Sequence, residues 1–342
     1  MAITASQLGE SASVVRRSDL DRAHDHLRET ADGDAAGVFG PDSMMWRMIG
    51  PAPVVPMMLM EAGLLEAPQP FIAFGTMGSQ SATDFLPRFH RSADAFYDWF
   101  CGDLDTALRT ARRIFGYHSK VGGNLPEDIG GYRAGQPYQA NQQDLLIWVW
   151  ATIIRPLKEY YEILEGPLTR LECNRYYAEC RRFALLFGID DVLLPVSWSA
   201  FEDYFDQYAA SAVMEVSAEY RSRAGLLNGV IPGGRIQRLL TTWFLSLVVW
   251  RLPPKVRAQY PDLPGGRRHR ALAAFTWRAA PVLWRGIPRG LRESPRWRVA
   301  CRRVGITFSS SRLGAWQEAR LPAPYGRSYR EAGLSTHGNP LR

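Results

Sequence analysis

The sequence predicts an all-α fold, organised as a single large helical domain. Apolar residues recur at three- and four-residue steps over several long segments, which is the period of a helix with one buried face. Two capping-box sequences, Thr169–Glu172 and Ser199–Glu202, mark helix starts. We find no convincing strand alternation, internal repeat or nucleotide-binding glycine loop. With 342 residues, 46% of them hydrophobic, the chain is long and apolar enough to bury a sizeable core.

Glycine, proline and capping residues mark the predicted starts and ends of successive helices. Asp42 or Ser43 is placed to cap a short methionine-rich helix. Residues 67–83 are predicted to form a connection, and residues 124–140 a long loop of the kind that often binds ligands. Pro156 is expected to kink or divide the helix that contains it. The longer helices are predicted at about residues 57–67, 87–100, 104–118, 144–165, 170–187, 200–223 and 235–251.

Composition changes near both ends predict three regions. Residues 1–36 are polar and charged and are expected to form a flexible or loosely helical arm. Residues 37–304 carry the helical pattern and form the predicted domain. Residues 305–342, rich in Ser, Gly and Pro, are expected to form a C-terminal tail.

The distribution of charge restricts the classes of partner. The net charge is +7, and residues 235–303 contain sixteen Arg or Lys residues, two acidic residues and five tryptophans. Tryptophan favours membrane interfaces and arginine is drawn to anionic headgroups, so this region is compatible with peripheral contact with an anionic membrane. Nucleic acid is not an expected partner, because no helix-turn-helix, zinc-finger or sheet platform accompanies the charge.

The apolar runs and cysteines suggest a cytoplasmic protein. No secretory signal is visible, and the strongest apolar runs, Leu145–Ile154 and Leu239–Trp250, are shorter than the ~20 residues that a bilayer span needs. We therefore expect neither a signal peptide nor a transmembrane helix. The four cysteines form no CxxC pair, which argues against a zinc site or a disulfide framework.

Two neighbouring helices carry the candidate site residues. The apolar stripe of the helix over residues 104–118 continues in register to His118, which must find a buried partner or bind a ligand. Arg88, Arg91 and Ser92 occupy positions i, i+3 and i+4 of the preceding helix and share one face. That face is either a solvated stripe or one wall of a site.

Several short motifs together resemble the MpaB/latex-clearing-protein family of haem oxygenases, over roughly residues 37–303. Each motif is weak alone, but their order and spacing are specific. The motifs are Gly40-Pro-Asp-Ser43-x-x-Trp46, Arg88-x-x-Arg91-Ser92, His118-x-x-Val121-x-Gly123, Tyr138-x-Ala140, Leu146-x-Trp148-Val149, Pro167-Leu-Thr-x-x-Glu172, Leu252-Pro-x-x-x-Arg257 and Pro288-x-x-x-Arg292.

The resemblance implies a globin-like helical core that binds one haem b and uses dioxygen on a small apolar substrate, isoprenoid or lipid-like. His118 matches the axial iron ligand, and Arg88, Arg91 and Ser92 match a catalytic group on the distal side, where Arg88 also suits a haem propionate. The alternative function is that of a non-enzymatic lipid- or membrane-surface-binding helical protein that uses the Arg/Trp-rich residues 235–303.

The sequence departs from the family pattern at three places. Arg91 stands where rubber-cleaving relatives can place a lysine on iron, and a guanidinium has no lone pair to give. Trp150 stands where many members carry a histidine, and Glu66 does not fit the motif of the glutamate proposed as base. These departures argue against polyisoprene as the substrate and predict that the sixth iron position is open or holds water.

Overall fold

The described chain is helical almost throughout, which confirms the predicted all-α class. The structure is a computed structural model that describes residues 13–31, 33–77, 85–225, 234–306 and 316–317. The helices are α1 (Arg17–Glu29), α2 (Met44–Ile49), α3 (Val54–Glu66), α4 (Pro70–Met77), α5 (Phe85–Cys101), α6 (Leu104–His118), α7 (Gln143–Glu165), α8 (Arg170–Ala184), α9 (Trp198–Ala210), α10 (Ala218–Gly225), α11 (Arg235–Arg251), α12 (Pro254–Ala258), α13 (Arg267–Gly286), α14 (Arg289–Arg292) and α15 (Pro295–Arg303).

The centre of the core is the contact between α3 and α7. Trp148 of α7 is fully buried and donates from its indole Nε1 to the carbonyl of Leu65 at 3.2 Å. Its ring stacks on Tyr208 of α9, with 4.3 Å between the ring centroids. Residues on several faces of α7 are buried, because several neighbouring helices pack against it. The expected division at Pro156 does not occur, and α7 runs unbroken through it.

A buried polar cluster ties α11 to this central pair. The hydroxyl of Tyr160 donates to Glu61, and Arg251 at the end of α11 bonds Glu159 with its Nε 3.8 Å from Glu61. Burial raises the pKa of Glu61 to about 7, although the charge of Arg251 acts in the opposite direction. The cluster therefore fixes the C-terminal end of α11 to both α3 and α7.

Three segments differ from the sequence-based expectation. The predicted connection over residues 67–83 contains α4, whose Phe71 and Ala73 are buried in the fold. The predicted loop after α6 contains an antiparallel pair, β1 (Gly122–Asn124) and β2 (Pro137–Gln139), with Gly123 opposite Tyr138. The cap of α9 is Ser197, whose side chain accepts from the backbone of Ala200, and α9 ends at Ala210. The sequence pattern did not reveal β1 and β2, because strands of three residues are too short to show an alternation of apolar and polar residues.

The N-terminal region contains a docked helix where the sequence suggested a flexible or loosely helical arm. Leu20 and Leu27 of α1 are fully buried, as is His24, whose Nε2 donates to the carbonyl of Leu186 at 3.2 Å. Burial lowers the pKa of His24 to about 4, so the ring is neutral near pH 7. The polar composition of this region did not indicate a docked helix, because only one narrow stripe of α1 is apolar. The limits of the arm, domain and tail otherwise stay predictions, as does the globin-like arrangement of the core.

The last described helices pack back onto the beginning of the domain. The backbone of Ser294 donates to Gly50, and that of Ala52 donates to Arg292, both at 2.7 Å. Arg296 of α15 forms an ion pair with Asp94 of α5. In the part of the chain that the structure describes, no helix combines the length and the apolar content needed to cross a membrane.

Shortening Leu27 tests whether α1 belongs to the cooperative fold. We expect Leu27→Ala to lower the free energy of unfolding by about 2–5 kcal/mol, the usual cost of truncating a fully buried leucine. The measurement is urea denaturation followed by circular dichroism. The matched control is Leu171→Ala at a 79% exposed leucine, which should change stability by less than ~0.5 kcal/mol. Equal stability of both variants would contradict the docked position of α1.

Candidate functional site

A tight turn sets the relation between the two helices that carry the predicted site residues. Gly102 joins α5 to α6, and its N–H donates to the carbonyl of Asp98 at 3.1 Å. A Cβ at Gly102 would lie 2.2 Å from that carbonyl oxygen, and a Cβ at Gly37 would lie 2.1 Å from the carbonyl oxygen of Gly102. The next residue, Asp103, caps α6 by accepting from the backbone of Thr106. The turn therefore depends on glycine at two positions.

A buried hydrogen bond joins the two helices beyond the turn. Asp98 of α5 accepts from the hydroxyl of Thr110 of α6 at 2.9 Å, and both side chains are buried. Burial raises the pKa of Asp98 to about 7, with the Thr110 bond and the charges of Arg113 and Arg296 acting in the opposite direction. This bond fixes the register of the antiparallel helices.

The predicted site residues all lie beyond the Asp98–Thr110 bond, on the side away from the turn. Ser92 lies six residues before Asp98 and His118 lies eight residues after Thr110, so they are about 9 and 12 Å along the helices from the Asp98–Thr110 bond. Arg91, Ser92 and His118 are all half-buried. Arg88 lies one turn before Ser92 in α5, but its side chain is outside the described part of the structure.

His118 ends α6, and Asn141 holds that end in place. The carbonyl of His118 accepts from the backbone of Val121 at 2.9 Å. Asn141 is buried and donates its amide to the hydroxyl of Ser119 at 3.0 Å and to the carbonyl of Phe115 at 3.4 Å. The carbonyl of Asn141 in turn accepts from the backbone of Val15, ahead of α1. The last turn of α6 is therefore held through residues distant in sequence.

The end of α4 approaches the same region closely. A Cβ at Gly75 would lie 3.1 Å from Val121 and 3.6 Å from the ring of Tyr138, so glycine lets α4 approach the β1–β2 pair. Tyr138 stacks on Phe71 of α4 with 5.6 Å between the ring centroids. Val121 is the third residue after His118, so α4 and the strand pair form a wall beside the candidate ligand.

Two of the residues that depart from the family pattern have clear structural roles. Trp150 is fully buried, donates from Nε1 to the carbonyl of Cys180 at 2.8 Å, and packs against Phe201. Its indole therefore faces α8 and α9 and fills core space there. Glu66 is half-buried at the end of α3 and accepts from the hydroxyl of Thr152 at 3.0 Å.

Sequence reasoning missed the support around His118. Asn141 follows Ala140 of a quoted motif, but its partners Ser119 and Phe115 lie more than twenty residues earlier, and local patterns do not reveal such pairs. Gly75 lies in the segment over residues 67–83 that the sequence predicts to be a connection. A glycine inside the apolar run of α4 was the available signal, since glycine within a helix often marks a close backbone approach.

The donor set at this end of the α5–α6 pair fits haem. Among the described residues, no three His, Cys, Asp or Glu side chains gather in a way that could hold a metal ion. Haem needs a single axial protein ligand because the porphyrin brings four nitrogens. A half-buried imidazole at a fixed helix end, with a guanidinium on the neighbouring helix and a glycine-lined wall nearby, matches that need.

The fold and this site define an all-helical domain with one candidate histidine ligand at a helix end. The chain belongs to the family described as ER-bound oxygenase mpaB/B'/rubber oxygenase, catalytic domain, whose family model matches residues 46–282, well over half of the chain. This match confirms the family that the motifs suggested. A comparison with curated proteins and a comparison with solved structures each gave no significant match.

The buried carboxyl of Asp98 predicts a pH-dependent stability. Folded Asp98 keeps its proton up to pH about 7, whereas the unfolded chain releases it near pH 3.8, so this group's stabilising contribution is lost as pH rises from about 4 to 7. Asp98→Asn removes that loss. We expect the stability of the variant relative to the wild type to grow by up to about 4 kcal/mol across this range.

Urea denaturation at pH 4.5, 6 and 7.5 measures this difference. The matched control is Asp105→Asn, at an exposed aspartate of α6, whose stability should follow the wild type in parallel at each pH. A constant difference between Asp98→Asn and the wild type from pH 4.5 to 7.5 would refute the assignment.

Proposed function

We propose that this protein is a haem-b-dependent oxygenase that acts on an apolar, isoprenoid or lipid-like substrate, with His118 as the axial iron ligand. The observation that supports the proposal is that half-buried Arg91, Ser92 and His118 all lie beyond the Asp98–Thr110 bond on α5 and α6, on the side away from the turn. Membership in an oxygenase catalytic-domain family supports the reaction class. When bound, haem would supply the redox chemistry that activates dioxygen.

His118 would hold the cofactor through its imidazole. Asn141 restrains the turn that carries the ring, through Ser119 and Phe115. A fixed backbone limits the orientations of the imidazole, so that the ring is better placed to bind the iron than a ring that is free to turn into solvent. Half-buried Ile114 and Phe115 of the same helix would give the cofactor apolar neighbours.

Arg91 and Ser92 would act opposite the ligand. A guanidinium and a hydroxyl donate hydrogen bonds, so they can orient dioxygen or hold a haem propionate by charge-assisted bonds. Arg88, one turn away, is the proposed propionate partner. Because a guanidinium has no lone pair to give, Arg91 would serve as a hydrogen-bond donor and would not bind the iron.

The proposed substrate is small and apolar, and its identity beyond this class rests on the family. Partly buried Phe74 and Tyr138 belong to the wall formed by α4 and the strand pair, and would offer apolar contact to such a molecule. The residues that depart from the pattern of rubber-cleaving relatives, Arg91 and Trp150, argue for a substrate other than polyisoprene.

A non-enzymatic lipid- or membrane-surface-binding role is the second candidate function. Its support is the set of exposed apolar side chains on α11 and α13, next to exposed arginines. This role is compatible with the first, because an enzyme for greasy substrates gains from contact with a lipid surface.

Removing the proposed ligand tests the haem assignment. The purified protein, reconstituted with haemin where needed, should show a Soret band, and His118→Ala should lower haem retention about tenfold or more. Added imidazole should restore part of the band by replacing the missing ring. The matched control is His90→Ala, an exposed histidine of α5, which should keep the wild-type spectrum.

Absence of a Soret band in the reconstituted wild type would end the haem proposal. A spectrum of His118→Ala identical to the wild type, at unchanged circular dichroism, would remove His118 as the ligand while leaving haem binding in place.

Replacing Arg91 by lysine tests the position opposite His118. A lysine can lose its proton and bind iron, whereas arginine cannot. We therefore expect the ferric Arg91→Lys variant to change from a high-spin to a low-spin absorption spectrum as pH rises. Arg91→Leu is the control, because any change that does not need an amine appears in it as well. Matching pH series for the lysine and leucine variants would show that residue 91 does not face the iron.

A further inference from the structure

Helices α11 and α13 form an antiparallel pair on the surface of the domain. A Cβ at Gly265, just before α13, would lie 3.6 Å from Val249 near the end of α11. Further along, the indole Nε1 of Trp243 donates to the hydroxyl of Thr276 at 3.1 Å. The residue number thus falls along α11 as it rises along α13, which brings the start of α11 beside the end of α13.

The inner side of this pair is fixed to the core. The indole of Trp277 donates to the carbonyl of Leu247 at 3.3 Å, and that of Trp284 donates to Glu165 at 2.7 Å. Arg251 adds its ion pair with Glu159. The orientation of the pair on the domain is therefore defined.

The outer side carries an apolar stripe on each helix. Ile236, Leu239, Leu240 and Trp243 follow the i, i+3, i+4, i+7 spacing along α11, and Ile236 and Leu239 are 75% and 70% exposed. On α13, the exposed apolar residues are Leu272, Phe275, Val282 and Leu283. A helix normally turns such a stripe toward the core, so stripes that face solvent on two adjacent helices mark an interaction surface.

Positive charge surrounds these stripes. The exposed arginines of the pair are Arg235, Arg238, Arg267, Arg268, Arg270, Arg278 and Arg285. Between residues 235 and 285, the sequence contains one acidic residue, Asp262, which lies outside both helices. The surface therefore offers apolar insertion and cationic attraction together, without opposing negative charge on the helices.

We propose that this face of α11 and α13 docks the protein onto an anionic lipid bilayer, with its aliphatic and aromatic side chains among the acyl chains and its arginines at the headgroups. An interfacial helix with apolar residues on one side and basic residues beside them binds membranes in this way. The inference deepens the second candidate function, on which it rests, by naming the surface and its lipid partner, and it does not depend on the haem proposal.

Two other occupants fit the chemistry less well. A second copy of the chain would bring arginines of one face against those of the other, and like charges repel. Nucleic acid would satisfy the arginines, but most of the exposed apolar residues of the face are Ile, Leu and Val, which offer no ring for base stacking. Anionic lipid satisfies both the charge and the apolar surface.

The test is co-sedimentation of the full chain with vesicles. We expect binding to phosphatidylcholine vesicles containing 30% phosphatidylserine at about 0.1 M salt, weaker binding at 1 M salt, and little binding to phosphatidylcholine alone. The variant Ile236→Ser/Leu239→Ser should lower the partition coefficient at least about tenfold. The matched control is Leu171→Ser/Val196→Ser, at positions 79% and 87% exposed elsewhere on the molecule, which should bind as the wild type.

Three results would overturn the proposal. These are no vesicle binding by the folded wild type, equal loss in both double variants, or self-association that the Ile236→Ser/Leu239→Ser variant abolishes without any vesicle binding. An intact Soret band in the same preparations separates this outcome from the haem proposal, because the surface variants lie outside the α5–α6 pair.

Discussion

The close approach of backbone at the turn between α5 and α6 is the constraint on which the candidate site depends. No side chain fits at Gly102, because a Cβ there would collide with the carbonyl of Asp98. The turn fixes the angle between the helices, and the Asp98–Thr110 bond fixes their register. His118 and Arg91 lie on the two helices of this pair, beyond the turn and the buried bond. Precise placement of donors around a ligand is what binding and oxygen chemistry require.

The core of this protein contains buried polar groups that reduce its stability. Glu61 and Asp98 are carboxyls buried with partners that do not restore their ordinary pKa. Burial of such groups stabilises a fold less than apolar packing would, but it defines which helices meet and in which register. Glu61 joins α3, α7 and α11, whereas Asp98 joins α5 and α6. The Glu61 cluster thus attaches α11 to the core, and the Asp98 cluster fixes the two helices that carry the candidate site.

The sequence was sufficient for the features that depend on local periodicity. The stripe ending at His118 predicted α6, and the Thr169–Glu172 box marked the start of α8, where the structure has the same cap. Prediction failed where long-range partners decide the structure. The region of α1 was predicted to be flexible or loosely helical, and its contacts with Leu186 and the core, which fix the helix, are distant in sequence. The capping-box pattern predicted a cap at Ser199, whereas the structure has it at Ser197. The family motifs located His118, but not the contact from Asn141 that holds its turn.

The docking of α1 has a consequence for what counts as the folding unit. The family match begins at residue 46, yet Asn141, inside that match, is held from outside it by Val15. At the other end, residues 292–294 bond the backbone at Gly50 and Ala52. A fragment cut at the family limits would lose both sets of bonds and uncover Leu186, against which α1 packs. The family limits therefore cut through bonded structure at both ends, and the backbone contacts of Asn141, which holds the turn of His118, extend into unmatched sequence.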